Sequence, residues 1–150
     1  MHPFERMTDR SRIVMRLAER EAMRRGAAAV EPEHVLLALA LEGKGVAAHI
    51  LQFYGVSAER IAEQLPTPTS KLASGTGPFP GSTGTEQVAA QALVEMSSLN
   101  HHYMGTEHLI LAVVATGGEV VSSMLAQLHI SPELLRREIY MLLGHDPPST

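Results

Sequence analysis

Two glutamate-histidine pairs, Glu33-His34 and Glu107-His108, are the polar residues whose positions most suggest binding chemistry. They lie 74 positions apart, and each pair begins an apolar segment with helical character. A helix N-terminus offers unpaired backbone N–H groups to a phosphoryl group, and a carboxylate there can bind a guanidinium through two hydrogen bonds. The pairs therefore predict two quasi-equivalent sites. The simpler alternative is that each glutamate only complements a helix dipole, which contributes about 0.3–1 kcal/mol.

Residue types needed for catalysis are scarce. The chain has no cysteine, its two aspartates, Asp9 and Asp146, lie near the termini, and no Gly-x-Ser-x-Gly sequence is present. No Gly-x-x-x-x-Gly-Lys-Ser/Thr phosphate loop occurs either, so Gly43-Lys44-Gly45 is interpreted as a turn between helices. We predict no catalytic residues and no cofactor. An enzyme built on a helical bundle stays a weaker alternative, and it would need a deep pocket with converging titratable groups.

The eight histidines raise the question of a metal site. Three of them, His101, His102 and His108, are close in the sequence, but no known ligand spacing such as His-Glu-x-x-His is present. His34 and His108 occupy matched positions at helix starts, which favours structural hydrogen bonding over ligation. We predict no metal.

The elements that position these residues are duplicated. Residues 14–59 and 88–133 match without a gap at an offset of 74. The matched identities include core residues, a glycine and a serine: Val14/Val88, Ala18/Ala92, Glu21/Glu95, Leu37/Leu111, Ala38/Ala112, Gly43/Gly117, Leu51/Leu125 and Ser57/Ser131. A whole supersecondary unit has therefore been repeated.

Each unit is predicted to contain four helices. In the first these span about Thr8 to Arg25, Val35 to Leu41, Val46 to Tyr54 and Ser57 to Leu65; in the second, Glu86 to Leu99, Glu107 to Ala115, Val120 to Leu128 and Pro132 to Leu143. Thr8, Ser57 and Ser131 are the predicted N-caps. Ile13, Val14, Leu17 and Ala18 are predicted to face inward, and the methionines are predicted to fill the core, although exposed ones could serve adaptable partner binding.

The predicted fold is all-α: two tandem four-helix repeats related by a pseudo-twofold axis, about eight helices in a single compact domain. We predict repeat 1 at 1–65, a Pro/Gly/Ser/Thr linker at 66–83, repeat 2 at 84–143 and a C-terminal tail or linker at 144–150. Each repeat can cover the apolar helix of the other, so we expect a monomer.

Charge and hydropathy narrow the partners. The net charge is −4, and the seven arginines between Arg6 and Arg25 are interleaved with acids, so we expect no nucleic-acid partner. The longest apolar stretch is too short for a bilayer and the start does not resemble a signal peptide, so we expect no membrane partner and a cytoplasmic location.

Several short motifs resemble one family. The segments 4–10 and 105–111, together with the turns at 43–47 and 55–57, are similar to the N-terminal domain of ClpC-type AAA+ unfoldases. The resemblance covers both repeats, from Phe4 to Leu143. It implies a non-catalytic domain that receives protein substrates and adaptor proteins for a Clp ATPase ring, acting in cis with the ring or in trans as a free-standing regulator of adaptors or of the ring.

Some proteins similar to this one bind phosphoarginine in one pocket per repeat. The resemblance implies ligand positions at Arg6, Thr8 and Glu33 in the first half and at Ser82 and Glu107 in the second. We expect the Glu107 pocket to bind better. Thr106 offers a hydroxyl to cap that helix and Gly105 allows close approach, whereas Glu31-Pro32 removes a donor and adds a repelling charge.

Overall fold

The computed structural model describes residues 3–66 and 83–144, and it contains eight α-helices and no strand within these ranges. The helices are α1 (Asp9–Arg24), α2 (Pro32–Glu42), α3 (Val46–Phe53), α4 (Ala58–Ala62), α5 (Thr83–Ser98), α6 (Thr106–Thr116), α7 (Gly118–Gln127) and α8 (Pro132–Leu142). A short 3-10 helix, Pro3–Arg6, precedes α1. The predicted all-α fold of two four-helix units is confirmed.

The local signals for helix starts and ends act as predicted. The Thr8, Ser57 and Ser131 side chains each accept a hydrogen bond from the backbone N–H three residues later, at 3.1, 3.2 and 3.0 Å. Gly43 ends α2 in the left-handed region with φ of 78°, a conformation that costs glycine little. The three hydroxyl caps thus set the starts of α1, α4 and α8, and Gly43 sets the end of α2, the helix that carries Glu33.

The helix bounds differ by up to three residues from the approximate predicted ones, and one residue predicted to face inward is exposed. Helix α4 ends at Ala62 and not at Leu65, because residues 63–65 form turns. Helix α5 begins at Thr83, before the predicted Glu86, since the threonines and glycine there are compatible with a first helical turn. Ile13 is 43% exposed, because the buried stripe of α1 is rotated toward Met15.

The two central helices, α2 and α6, form the middle of the core. Helix α1 packs on α2, α5 packs on α6, and α2 and α6 contact each other. Each central helix also contacts the outer helices of the other repeat, as a pseudo-twofold arrangement requires. Within the described ranges no single helix is long and apolar enough to cross a membrane, although the sharply bent pairs α2 with α3 and α6 with α7 meet the length and composition criteria jointly.

A short backbone clasp joins the start of the chain to the second repeat. Met7 and Met104 form an isolated parallel bridge in which the Thr8 N–H donates to the Met104 carbonyl at 3.0 Å and the Met104 N–H donates to the Arg6 carbonyl at 2.8 Å. The buried Ser11 hydroxyl also donates to the Met104 carbonyl, at 2.9 Å. The clasp places the N-terminus of α1 beside the N-terminus of α6.

Candidate functional site

A cleft of about 740 Å³ lies where the N-termini of α1, α3 and α6 converge. Both repeats contribute to its walls. The first supplies Thr8 and Arg10 from α1 and Lys44, Gly45, Val46 and His49 from α3; the second supplies Asn100, His101, His102 and Tyr103, the start of α6 from Gly105 to His108, and Leu143. The cleft lining therefore includes two cations, Arg10 and Lys44, and one carboxylate, Glu107.

The start of α6 is built around His108. Gly105 is the N-cap, and its N–H donates to His108 Nδ1 at 2.9 Å. The matched histidine repeats this contact, since the Glu31 N–H donates to His34 Nδ1 at 2.9 Å at the start of α2. The prediction that both histidines have a structural hydrogen-bonding role is confirmed.

The expectation that Thr106 caps its own helix is wrong. Thr106 is the first residue of α6, and its hydroxyl accepts a hydrogen bond from the Ala47 N–H at 3.3 Å. Ala47 is the second residue of α3, whose amide has no acceptor within its own helix. A buried threonine of repeat 2 therefore caps a helix of repeat 1, and Pro32, the matched residue, has no hydroxyl with which to do the same.

His108 is paired with His101 behind the cleft wall. His108 Nε2 lies 2.8 Å from His101 Nδ1. Because His108 Nδ1 accepts from an amide, its proton is assigned to Nε2, which donates to His101. Burial and the neighbouring His101 lower the pKa of His108 to about 4. His108 is therefore neutral at pH 7, and its two hydrogen bonds hold the first turn of α6 in place.

Glu107 provides the negative charge of the cleft. It is half-buried, and its carboxylate lies so close to Gly105 that a Cβ added there would collide with it. Gly105 has an extended φ of −94°, so a larger residue there would have to displace the Glu107 carboxylate but would meet no backbone strain. The carboxylate lies in the cleft wall, where a guanidinium could reach it.

Two cations, Arg10 and Lys44, also line the cleft. Arg10 Nη1 donates to Glu42 at 2.7 Å, and the same carboxylate accepts from the Lys44 and Gly45 N–H groups at 3.1 and 2.8 Å. Burial alone would raise the pKa of Glu42, but the Arg10 guanidinium and the two amides outweigh it and lower that pKa. Glu42 therefore fixes Arg10 at the cleft, while the Lys44 side chain is exposed there.

The structure groups the five predicted ligand residues differently from the one-pocket-per-repeat arrangement. Thr8 lines the same cleft as Glu107, across the repeats. Arg6 lies beside it, donating to the carbonyl of the cleft residue His102 at 3.0 Å. Glu33 is at the start of α2 and is not among the residues that line this cleft. Ser82 lies outside the described residues.

The surroundings of Glu33 differ from those of Glu107. Burial raises the pKa of Glu33, and the nearby charge of Glu31 raises it further. Pro32 at the first helical position has no N–H to offer. The described residues thus give Glu33 an acidic neighbour, whereas Glu107 shares its cleft with Arg10 and Lys44.

Sequence reasoning missed Arg10, Lys44 and Tyr103 as cleft residues. Lys44 was assigned only to a turn, and Arg10 only to a helix face with local ion pairs. The duplication indicates which positions are equivalent, but not that α1 of one repeat faces α6 of the other. Where the structure describes the chain, no group of three or more histidine and acidic side chains is arranged to hold a metal ion.

The sequence of the chain is similar to the sequences of known proteins. The family model of the Clp repeat N-terminal domain matches residues 6–128 and 82–150. The chain is 32% identical to the Bacillus subtilis protein described as negative regulator of genetic competence ClpC/MecB, over 141 residues that cover 94% of this chain and 17% of that protein. It is 35% identical to the chaperone protein ClpB of Oceanobacillus iheyensis over 146 residues, with the same coverage of 94% and 17%. The chain thus spans about a sixth of the length of these relatives.

Solved structures share the fold at lower sequence identity. The N-terminal domain of ClpD from Arabidopsis thaliana aligns with a TM-score of 0.70 at 20% identity, covering 94% of this chain and 96% of that one. The N-terminal domain of Hsp104 from Candida albicans aligns with a TM-score of 0.73 at 14% identity, covering 94% and 93%. With the duplicated helices and the matching family model, the chain belongs to the Clp repeat N-terminal domain family.

Proposed function

We propose that this chain is a substrate- and adaptor-recognition domain of a Clp-type ATP-dependent protein unfolding machine, and that the cleft at the start of α6 binds phosphoarginine on marked proteins. Membership of the family supports the first part, because relatives include proteins described as ATP-binding subunits of ATP-dependent Clp protease. The domain acts through binding and contributes no catalytic residue. Its partners are protein substrates, adaptors and the ATPase ring.

The observation that carries the phosphoarginine proposal is that one cleft is lined by a carboxylate, Glu107, and by two cations, Arg10 and Lys44. Glu107 matches a guanidinium, which it can bind with two hydrogen bonds. The first amides of α6 and α1, with Lys44 and Arg10 nearby, match a phosphoryl group. A phosphoarginine side chain carries both groups at its tip, so one ligand could contact the carboxylate, the helix-start amides and the cations together.

Calorimetry with free phosphoarginine tests this assignment, with Glu33→Ala as the matched control for Glu107→Ala. Losing a hydrogen bond to a charged group costs about 1.5–3 kcal/mol, so we expect Glu107→Ala to weaken binding by about 10- to 100-fold. Glu33→Ala should leave most of the affinity intact. Equal losses in the two variants, or no binding by the unaltered domain, would return both glutamates to the role of helix-dipole partners.

Protein capture tests the recognition role. Proteins retained from lysate by the unaltered domain should be released by free phosphoarginine, and the Glu107→Ala domain should retain fewer of them. Retention that is the same for both domains and insensitive to phosphoarginine would show that substrates or adaptors use another surface.

A further inference from the structure

A second, largely apolar depression adjoins the cleft. It has a volume of about 450 Å³ and lies between α3 and α8. Its lining residues are His49, Ile50, Phe53, Tyr54, Glu138, Met141 and Leu142. His49 also lines the Glu107 cleft, and Leu142 adjoins the cleft residue Leu143, so the two depressions are continuous along α3.

The apolar side chains here are unusually open to solvent. Phe53 is 82% exposed, Leu142 59% and Met141 54%. Met15, Met96 and Met124 are buried as predicted, so Met141 departs from the core-filling role of the methionines. Several large apolar side chains exposed side by side indicate a contact surface, whereas scattered single ones do not.

We propose that this α3–α8 depression is a subsite for an apolar side chain of the same extended peptide whose phosphoarginine occupies the Glu107 cleft. The inference rests on the proposed function and adds a sequence preference to it. We assign this occupant because the depression is continuous with the cleft, and a peptide bound at Glu107 must leave the cleft along one of its walls. The Glu138 carboxylate on the rim favours peptides with a basic residue beside the apolar one.

The geometry of α3 sets the spacing. Gly45 precedes α3 at the cleft and Phe53 ends it, and eight residues at 1.5 Å each separate the two by about 12 Å. An extended chain advances about 3.3–3.4 Å per residue, and side chains on one face recur every second residue. Four residues span about 13 Å and keep both side chains on one face, so the apolar residue lies four positions from the phosphoarginine.

Calorimetry with short phosphoarginine peptides tests the subsite. The peptides carry leucine at position −4, leucine at +4, or alanine at both, relative to the phosphoarginine. We expect leucine in one of the two directions to tighten binding by about tenfold, as partial burial of one leucine side chain allows. Phe53→Ser should remove this gain without changing the affinity for free phosphoarginine. Val94→Ser is the matched control, since Val94 is a 57% exposed residue of α5, and it should leave the gain intact.

The outcomes separate the two proposals. Equal affinities for the leucine and alanine peptides, with free phosphoarginine still bound, would overturn the subsite and leave the proposed function standing. Failure of free phosphoarginine to bind would overturn both. A dimer of the unaltered domain that Phe53→Ser dissociates would assign the surface to a second copy of the chain and also overturn the subsite.

Discussion

Replacing Thr106 by valine tests the contact that joins the two repeats at the cleft. Thr106 is 3% exposed, and its hydroxyl is the acceptor for the buried Ala47 N–H. Valine keeps the shape of threonine but cannot accept this hydrogen bond, so the second amide of α3 is left unpaired. An unpaired buried amide costs about 1–3 kcal/mol.

We therefore expect Thr106→Val to lower the free energy of unfolding by about 2 kcal/mol in urea denaturation and Tm by about 4–8 °C. Thr85→Val is the matched control. Thr85 is 2% exposed, and its hydroxyl has no hydrogen-bond partner in the described part of the chain. That substitution removes a buried hydroxyl that makes no hydrogen bond there, so it should leave the free energy of unfolding unchanged or raise it by up to about 1 kcal/mol.

If Thr106→Val costs no more than Thr85→Val, the hydroxyl does not cap α3 and the reasoning fails. Thr106→Ser separates the contribution of the hydroxyl from that of the methyl group. If Thr106→Ser retains stability while Thr106→Val does not, the hydroxyl and not the methyl group carries the effect.

Three further predictions follow from other contacts. The His108 imidazole is protonated near pH 6.5 in the unfolded chain but only near pH 4 in the folded chain, so the free energy of unfolding should fall by roughly 2 kcal/mol from pH 7 to pH 5. In urea unfolding, His108→Gln should make this pH dependence shallower. An unchanged slope in that variant would contradict the prediction. Gly45→Ala puts a methyl group against Thr106 and Arg10 and should cost about 1–3 kcal/mol, whereas Gly105→Ala meets only the mobile end of Glu107 and should weaken phosphoarginine binding more than stability, as unfolding and calorimetry would show. Light scattering should find a monomer at moderate concentration, and a stable dimer would refute that expectation.

The architecture was predictable because its signals are local or periodic. Hydroxyl caps at Thr8, Ser57 and Ser131 and the glycine after α2 act within a few residues, and the 74-residue offset pairs the helices directly. Ile13 shows the limit of such patterns, because its exposure follows from the exact rotation of α1, which depends on what packs against that helix.

The site was predictable only in part, because its residues meet through tertiary packing. The matched glutamates at helix starts marked Glu107, and the helix-start hydroxyl marked Thr8. The Thr106 hydroxyl accepts a hydrogen bond from an amide that is 59 residues away, in the other repeat. The sequence alone predicted only a hydrogen bond from an amide of the hydroxyl's own helix. Arg10 and Lys44, the cations that line the cleft with Glu107, were missed because they too reach it only through tertiary packing.

The clasp between Met7 and Met104 has a consequence for synthesis and folding. The amide of Thr8 and the hydroxyl of Ser11 share an acceptor that lies more than 90 residues further along the chain. During translation, α1 can form and pack on α2 early, because those contacts are close in sequence. The segment before α1 must wait until Met104 has left the ribosome. The residues just before α1 are thus among the last of the described chain to reach their native partners, and the Glu107 cleft, which needs α1 and α6 side by side, is completed only at that late step.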